Sequence, residues 1–143
     1  MAKNYRSRYD TKIIVILATI LQNDAKTAHN PAQHKSRFFT QINHSIFCIP
    51  VEEVLCFIFE DGATILTTTS GRNYIVKYSL ESLETLLDPQ YFFRINRRCI
   101  ANIDSFKKIN ILSKSRIELV LRNGSKEILS RSKNAAFKTW LDC

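Results

Sequence analysis

Glycine is scarce in this chain: Gly62, Gly71 and Gly124 are the three among 143 residues. A loop that cradles phosphates needs several glycines close together, so that backbone N–H groups can approach the anion. No segment here meets that need. The G-x-S-x-G and H-E-x-x-H signatures of nucleophilic and metal-assisted hydrolysis are missing too. Cys48, Cys56, Cys99 and Cys143 stand in no C-x-x-C or Cys/His spacing, and His29, His34 and His44 lie among polar turn residues. Neither a zinc site nor a redox pair is suggested. The expectation is no catalytic residue, no metal and no cofactor. Thiols in runs such as "VLCFIF" read as small core residues of a protein kept in a reducing cytoplasm.

Long apolar runs are absent as well. Residues 13–21, within "KIIVILATILQND", are apolar for about nine positions, where a helix crossing a bilayer needs roughly 20. A secretory leader is disfavoured, because Asp10 interrupts the basic residues ahead of the run. The run is read as a buried strand, a short helix or the remnant of a preceding domain. "TAHNPAQHKSR" after it is polar and reads as a linker. Residues 1–36 are thus expected to be an N-terminal segment or linker, and 37–143 a separate domain. No association with a membrane is expected.

Positive charge is what the chain has in excess, and it is unevenly placed. Residues 1–36 carry six Lys/Arg against two Asp/Glu, and residues 37–90 three against seven. Residues 91–143 carry twelve against four, a local charge of +8 that equals the net charge of the chain. A field concentrated this way steers polyanions, nucleic acid first among them. With 45% hydrophobic residues the chain can bury a core, which excludes a disordered basic tail.

From Phe38 onward, short β-favouring runs alternate with turn residues. "RFFTQI" and "IFCI" flank "NHS" as one hairpin, and "PVEEVLCFIFE" is a strand ended by Asp61 and Gly62. "TILTTTSGRNYIVKY" forms a second hairpin around Ser70 and Gly71. In "SLESLETLLDP" the spacing of Leu80, Leu83, Leu86 and Leu87 predicts a helix capped by Ser79 and stopped at Asp88-Pro89. "FKKINILS" and "RIELVLRNGSKEIL" are further strands, with Asn123 and Gly124 predicting a type I′ turn. Ala136, Phe137, Trp140 and Leu141 make the apolar stripe of a closing helix. The fold class is mainly β, antiparallel, with short helices.

Two basic clusters carry the functional expectation. In "YFFRINRRCIAN", Phe92, Phe93 and Ile95 anchor a strand, and Asn96, Arg97 and Arg98 leave it as an exposed connection. Arginine offers a bidentate fork to guanine and asparagine one to adenine, so these residues suit base edges. Arg94 is placed to pair with a helix carboxylate such as Glu84. Arg131 and Lys133 are expected in the first turn of the last helix. There free N–H groups and the hydroxyls of Ser130 and Ser132 would seat a phosphate. The alternative is a module for RNA or an anionic protein surface using the same basic edge. No aromatic-rich strand of the kind that stacks RNA bases supports it.

"FFRINRRCIANI" closely resembles the FFRIHRSxIVNI signature of the LytTR DNA-binding domain of bacterial transcription regulators. "IPVEEVLCFIFEDG", "YSLESLETLL" and "EILSRSKNAAFKTWL" resemble its other segments in the right order. The resemblance covers roughly Phe38 to Leu141. It implies an elongated arrangement of antiparallel strands with short helices, reaching successive major grooves of double-stranded DNA through loops. It implies that Asn96, Arg97 and Arg98, Ser130 to Lys133, and the loop around Gly62 to Thr64 face DNA. Promoter direct repeats, a second copy on the DNA, and an upstream histidine kinase or receiver domain are the further partners it implies. Asn96 stands where the family has His and Arg98 where it has Ser, so base preference does not carry over. Residues 1–36 are too few for a receiver domain.

Overall fold

A computed structural model describes residues 33–142. The apolar run at residues 13–21 and most of the polar segment after it lie outside the described residues. Residues 34–142 belong to one compact unit. Its strands are β1 (Arg37–Ile42), β2 (Ser45–Pro50), β3 (Val54–Glu60), β4 (Ala63–Thr68), β5 (Asn73–Val76), β6 (Phe92–Asn96), β7 (Cys99–Asn102), β8 (Phe106–Ser113), β9 (Arg116–Leu121) and β10 (Lys126–Ile128). Its helices are α1 (Leu80–Leu86) and α2 (Asn134–Leu141).

All pairings are antiparallel. β1 and β2 form a hairpin, β5-β4-β3-β7-β6 a central sheet, and β10-β9-β8 a third sheet. The central sheet buries side chains on both faces. On one, Phe57, Leu66, Phe92 and Ile100 meet Phe38 and Ile49 of the hairpin and Leu80, Leu83 and Leu87 of the α1 region. On the other, Cys56, Ile95, Cys99 and Ala101 meet Ile117, Leu119 and Leu121 of β9 and Phe137 and Trp140 of α2. A bulge at Leu55 lets adjacent Leu55 and Cys56 both serve this second core, while Val54 and Phe57 serve the first. Cys56 and Cys99 are both fully buried. Their hydrogen bond and burial push the Cys99 thiol well up.

The expected mainly β, antiparallel fold is what the chain adopts, and Ser79 caps α1 by accepting the Ser82 N–H at 3.1 Å. Two local expectations change. The type I′ turn occurs at Asp61 and Gly62, whose φ angles of 51° and 78° both lie in the left-handed region. At Asn123 and Gly124 only the glycine has positive φ. The link is longer, with Gly124 N–H reaching Leu121 O and Leu121 N–H reaching Ser125 O, which is a turn with a glycine bulge. Asn123 instead accepts from the Ser125 N–H through Oδ1 at 3.1 Å, an arrangement that keeps it right-handed. In α2, Phe137 and Trp140 are buried, whereas Ala136 and Leu141 are exposed.

Candidate nucleic-acid interface

Antiparallel pairing sets which loops share an end. β3 runs toward its turn at Asp61 and Gly62, and Ile58 of β3 faces Cys99 at the start of β7. The β6–β7 turn, Arg97 and Arg98, therefore lies at the same end of the central sheet as Asp61 and Gly62. Phe59 N–H donates to Arg98 O at 2.8 Å and ties the two hairpins together. Ser130 N–H donates to Ile95 O at 2.9 Å, bringing the exit of β10 to this end. Asn134 Nδ2 donates to Ser115 O at 3.2 Å, so the β8–β9 tip stands beside the start of α2. One end of the unit thus gathers Arg97, Arg98, Arg131 and Lys133 from two parts of the chain.

The three arginines of "YFFRINRRCIAN" do different work. Arg94, whose side chain is 15% exposed, donates to Glu84 Oε2 at 3.1 Å and Glu81 Oε1 at 3.3 Å on α1. It also donates to the main-chain oxygens of Asn96 and Arg97, at 3.2 and 2.8 Å. Glu81 is held below the usual carboxylate range, first by its own backbone N–H and then by Arg94. Arg94 is therefore a strut between helix and turn, as the pairing with Glu84 expected. Arg98 Nε lies 3.3 Å from Glu127 Oε1 and Nη2 lies 4.0 Å from Glu60 Oε1. Among the described residues, the Arg97 side chain has no ion-pair partner, and it is exposed.

Asn96 is also committed. Its Nδ2 donates to Glu127 Oε1 at 3.1 Å and Ile128 O at 2.9 Å, and its Oδ1 accepts the Arg98 N–H at 2.9 Å. An amide used three times inside the protein holds the turn from which Arg97 projects. Glu127, 7% exposed on β10, is the anchor on which Asn96 and Arg98 converge.

The remaining expected residues separate in the same way. Gly62 is exposed at the β3–β4 tip. Thr64 is 4% exposed within β4, opposite Phe59 and Val76. Arg131 to Lys133 form a tight 3-10 turn ahead of α2 rather than its first turn. Arg131 is exposed, Ser130 and Lys133 are half-buried, and the Ser130 side chain does not cap the turn. Neither Arg131 nor Lys133 has an ion-pair partner among the described residues.

Two cations at this end escape the reading of sequence alone. Lys114 lies at the β8–β9 tip and Arg116 opens β9; both are exposed. Their charge and turn position were visible, but the Asn134–Ser115 bond that brings the tip beside the start of α2 was not. Groups of three or more His, Cys, Asp or Glu able to hold a metal do not occur among the described residues. No helix among them is long and apolar enough to cross a membrane.

Residues 44–142 match the LytTr DNA-binding domain family. The structure is similar to that of the LytTr DNA-binding domain of a Bacillus cereus protein described as a methyl-accepting/DNA response regulator. The TM-score is 0.68 at 26% identity, over 76% of this chain and 99% of that one. A comparison with curated proteins finds no match.

Proposed function

This chain belongs to the LytTr DNA-binding domain family, and from that premise we propose that it is a transcription regulator reading specific duplex DNA with the basic end of its central sheet. The observation that carries the proposal is the state of Arg97. It is an exposed guanidinium with no ion-pair partner among the described residues, on a turn whose backbone is held by Arg94, Asn96 and the Phe59 N–H. A turn fixed in this way loses little freedom on binding, which is what a base-reading side chain requires. Arg97 enters a major groove and forks onto a base edge, guanine being the best geometric match.

Arg131 and Lys133 sit one strand-end away and contact phosphates, which position the protein without reading sequence. Ser130 contributes through its backbone bond to Ile95, which fixes that turn against β6. Gly62 at the adjacent tip approaches the phosphate backbone, where a side chain is not needed. Asn96 and Arg98 support Arg97 from beneath and do not touch bases. Promoter direct repeats bound by two copies, under control of a kinase or receiver partner, complete this reading. The similar Bacillus cereus domain, described as part of a response regulator, supports a regulatory partner.

The test is selection of bound duplexes from a random pool, followed by competition with RNA and heparin. Enrichment of one motif, displaced weakly by RNA and heparin, is expected. Equal displacement by all three polyanions, with no enriched motif, would replace this reading with a general polyanion or RNA module.

A further inference from the structure

We infer that the β8–β9 tip is a further DNA-backbone clamp, with Lys114 and Arg116 gripping phosphates beyond those reached by Arg131 and Lys133. The inference rests on the duplex-binding reading and names a contact that neither the sequence motif nor the family match assigns. Three observations meet at this tip. Lys114 and Arg116 are exposed, and neither is in an ion pair among the described residues. The nearest carboxylate along β9, Glu118, accepts from Asn110 Nδ2 at 3.1 Å. The tip is also held in place, since Asn134 Nδ2 grips the Ser115 carbonyl at 3.2 Å and Leu129 N–H donates to Ile117 O at 3.0 Å.

The anchoring uses main-chain carbonyls, so the two cationic side chains take no part in it. Their charge therefore meets no internal need. A hairpin tip that adds two cations to an end already bearing three unpaired ones concentrates positive potential where a polyanion would lie. Duplex DNA suits this better than a compact anion, because its phosphates recur along a line and can meet cations from several loops. Seryl neighbours Ser113 and Ser115 are exposed beside them and offer further donors to phosphate oxygens.

The test compares wild type with Lys114→Gln/Arg116→Gln and with Lys107→Gln/Lys108→Gln. Lys107 and Lys108 are exposed at the opposite end of the same strand, so the second variant loses equal charge away from the proposed contact. For each, the salt dependence of binding to a selected and a random duplex is measured. Phosphate-ethylation interference maps the backbone contacts. The tip variant should shallow the log–log salt slope by about two units on both duplexes, since each lost phosphate contact removes about 0.9. It should erase interference at flanking phosphates and leave the selected motif unchanged. The control variant should change the slope by much less. Equal slope changes in the two variants would reduce the tip to general electrostatics, and an unchanged slope and interference pattern in the tip variant would refute it. If wild type binds no duplex at all, the functional reading falls and this inference with it. If wild type binds but the tip variant behaves like it, the inference falls alone.

Discussion

At the scale of single residues, one short motif divides side chains engaged inside the protein from one that is left exposed. Arg94, Asn96 and Arg98 are spent on Glu81, Glu84, Glu127 and main-chain carbonyls, and Arg97 is left over. The cost of losing a holder differs from that of losing a reader. Arg98→Ala leaves the buried Glu127 carboxylate with Asn96 as its remaining donor in this motif, so it should destabilise the fold by about 1–3 kcal/mol. Glu127→Gln in the same background should recover part of that loss, because the neutral amide costs less to leave unpaired. Urea unfolding midpoints decide the matter. If Arg98→Ala unfolds like wild type yet binds DNA poorly, Arg98 is itself a DNA contact. This split was only half legible. The charges of Arg94, Arg97 and Arg98 stand in the sequence, and Arg94 could be matched to Glu84 by the nearby helix. Glu127 could not be foreseen as an anchor: "KEIL" alternates in a way that puts Glu127 on the face of buried Leu129, but a lone carboxylate there looks solvated.

At the scale of elements, the turns and the last helix decide whether the basic end keeps its shape. Gly62 has open space around a would-be Cβ, so its requirement is conformational rather than steric. Gly62→Ala should therefore destabilise by about 1 kcal/mol, the cost of a side chain in the left-handed region. A thermal melt matching wild type would mean that the turn relaxes into another type. Helix α2 is held by Phe93, whose ring lies 5.1 Å from Trp140 and 5.5 Å from Phe137. Trp140 Nε1 also donates to Pro89 O at 2.8 Å. Trp140→Ala should cost about 3–5 kcal/mol by denaturant unfolding. An unshifted midpoint would show that α2 is undocked and that Arg131 and Lys133 are unsupported. The elements themselves were readable, because Thr, Val, Ile and Phe alternate between turn residues and Leu80, Leu83 and Leu87 recur at helical spacing. The bulges at Leu55 and Ile95 were not. They depend on two cores pressing on one sheet from opposite sides, a demand that no local pattern records.

At the scale of the whole molecule, the sequence places its charge excess in residues 91–143, and the fold collects part of it at one end. Segments far apart in the chain supply Arg97, Lys114, Arg116, Arg131 and Lys133 to that end, none in an ion pair among the described residues. With about five phosphate or base contacts of this kind, the log–log salt slope for duplex binding should be about −4 to −5. The family match and the charge arrangement agree on DNA. In the proposed reading one arginine, Arg97, carries the base contact and the others support it. The most direct measurement is the affinity of wild type and Arg97→Ala for a selected duplex and a random one, each across a salt series. The account predicts that Arg97→Ala loses about 1–3 kcal/mol on the selected duplex, relaxes preference at one base pair, and changes random binding little. An equal loss on both duplexes would make Arg97 a phosphate contact, and a wild-type slope near zero would contradict the electrostatic account of the whole end.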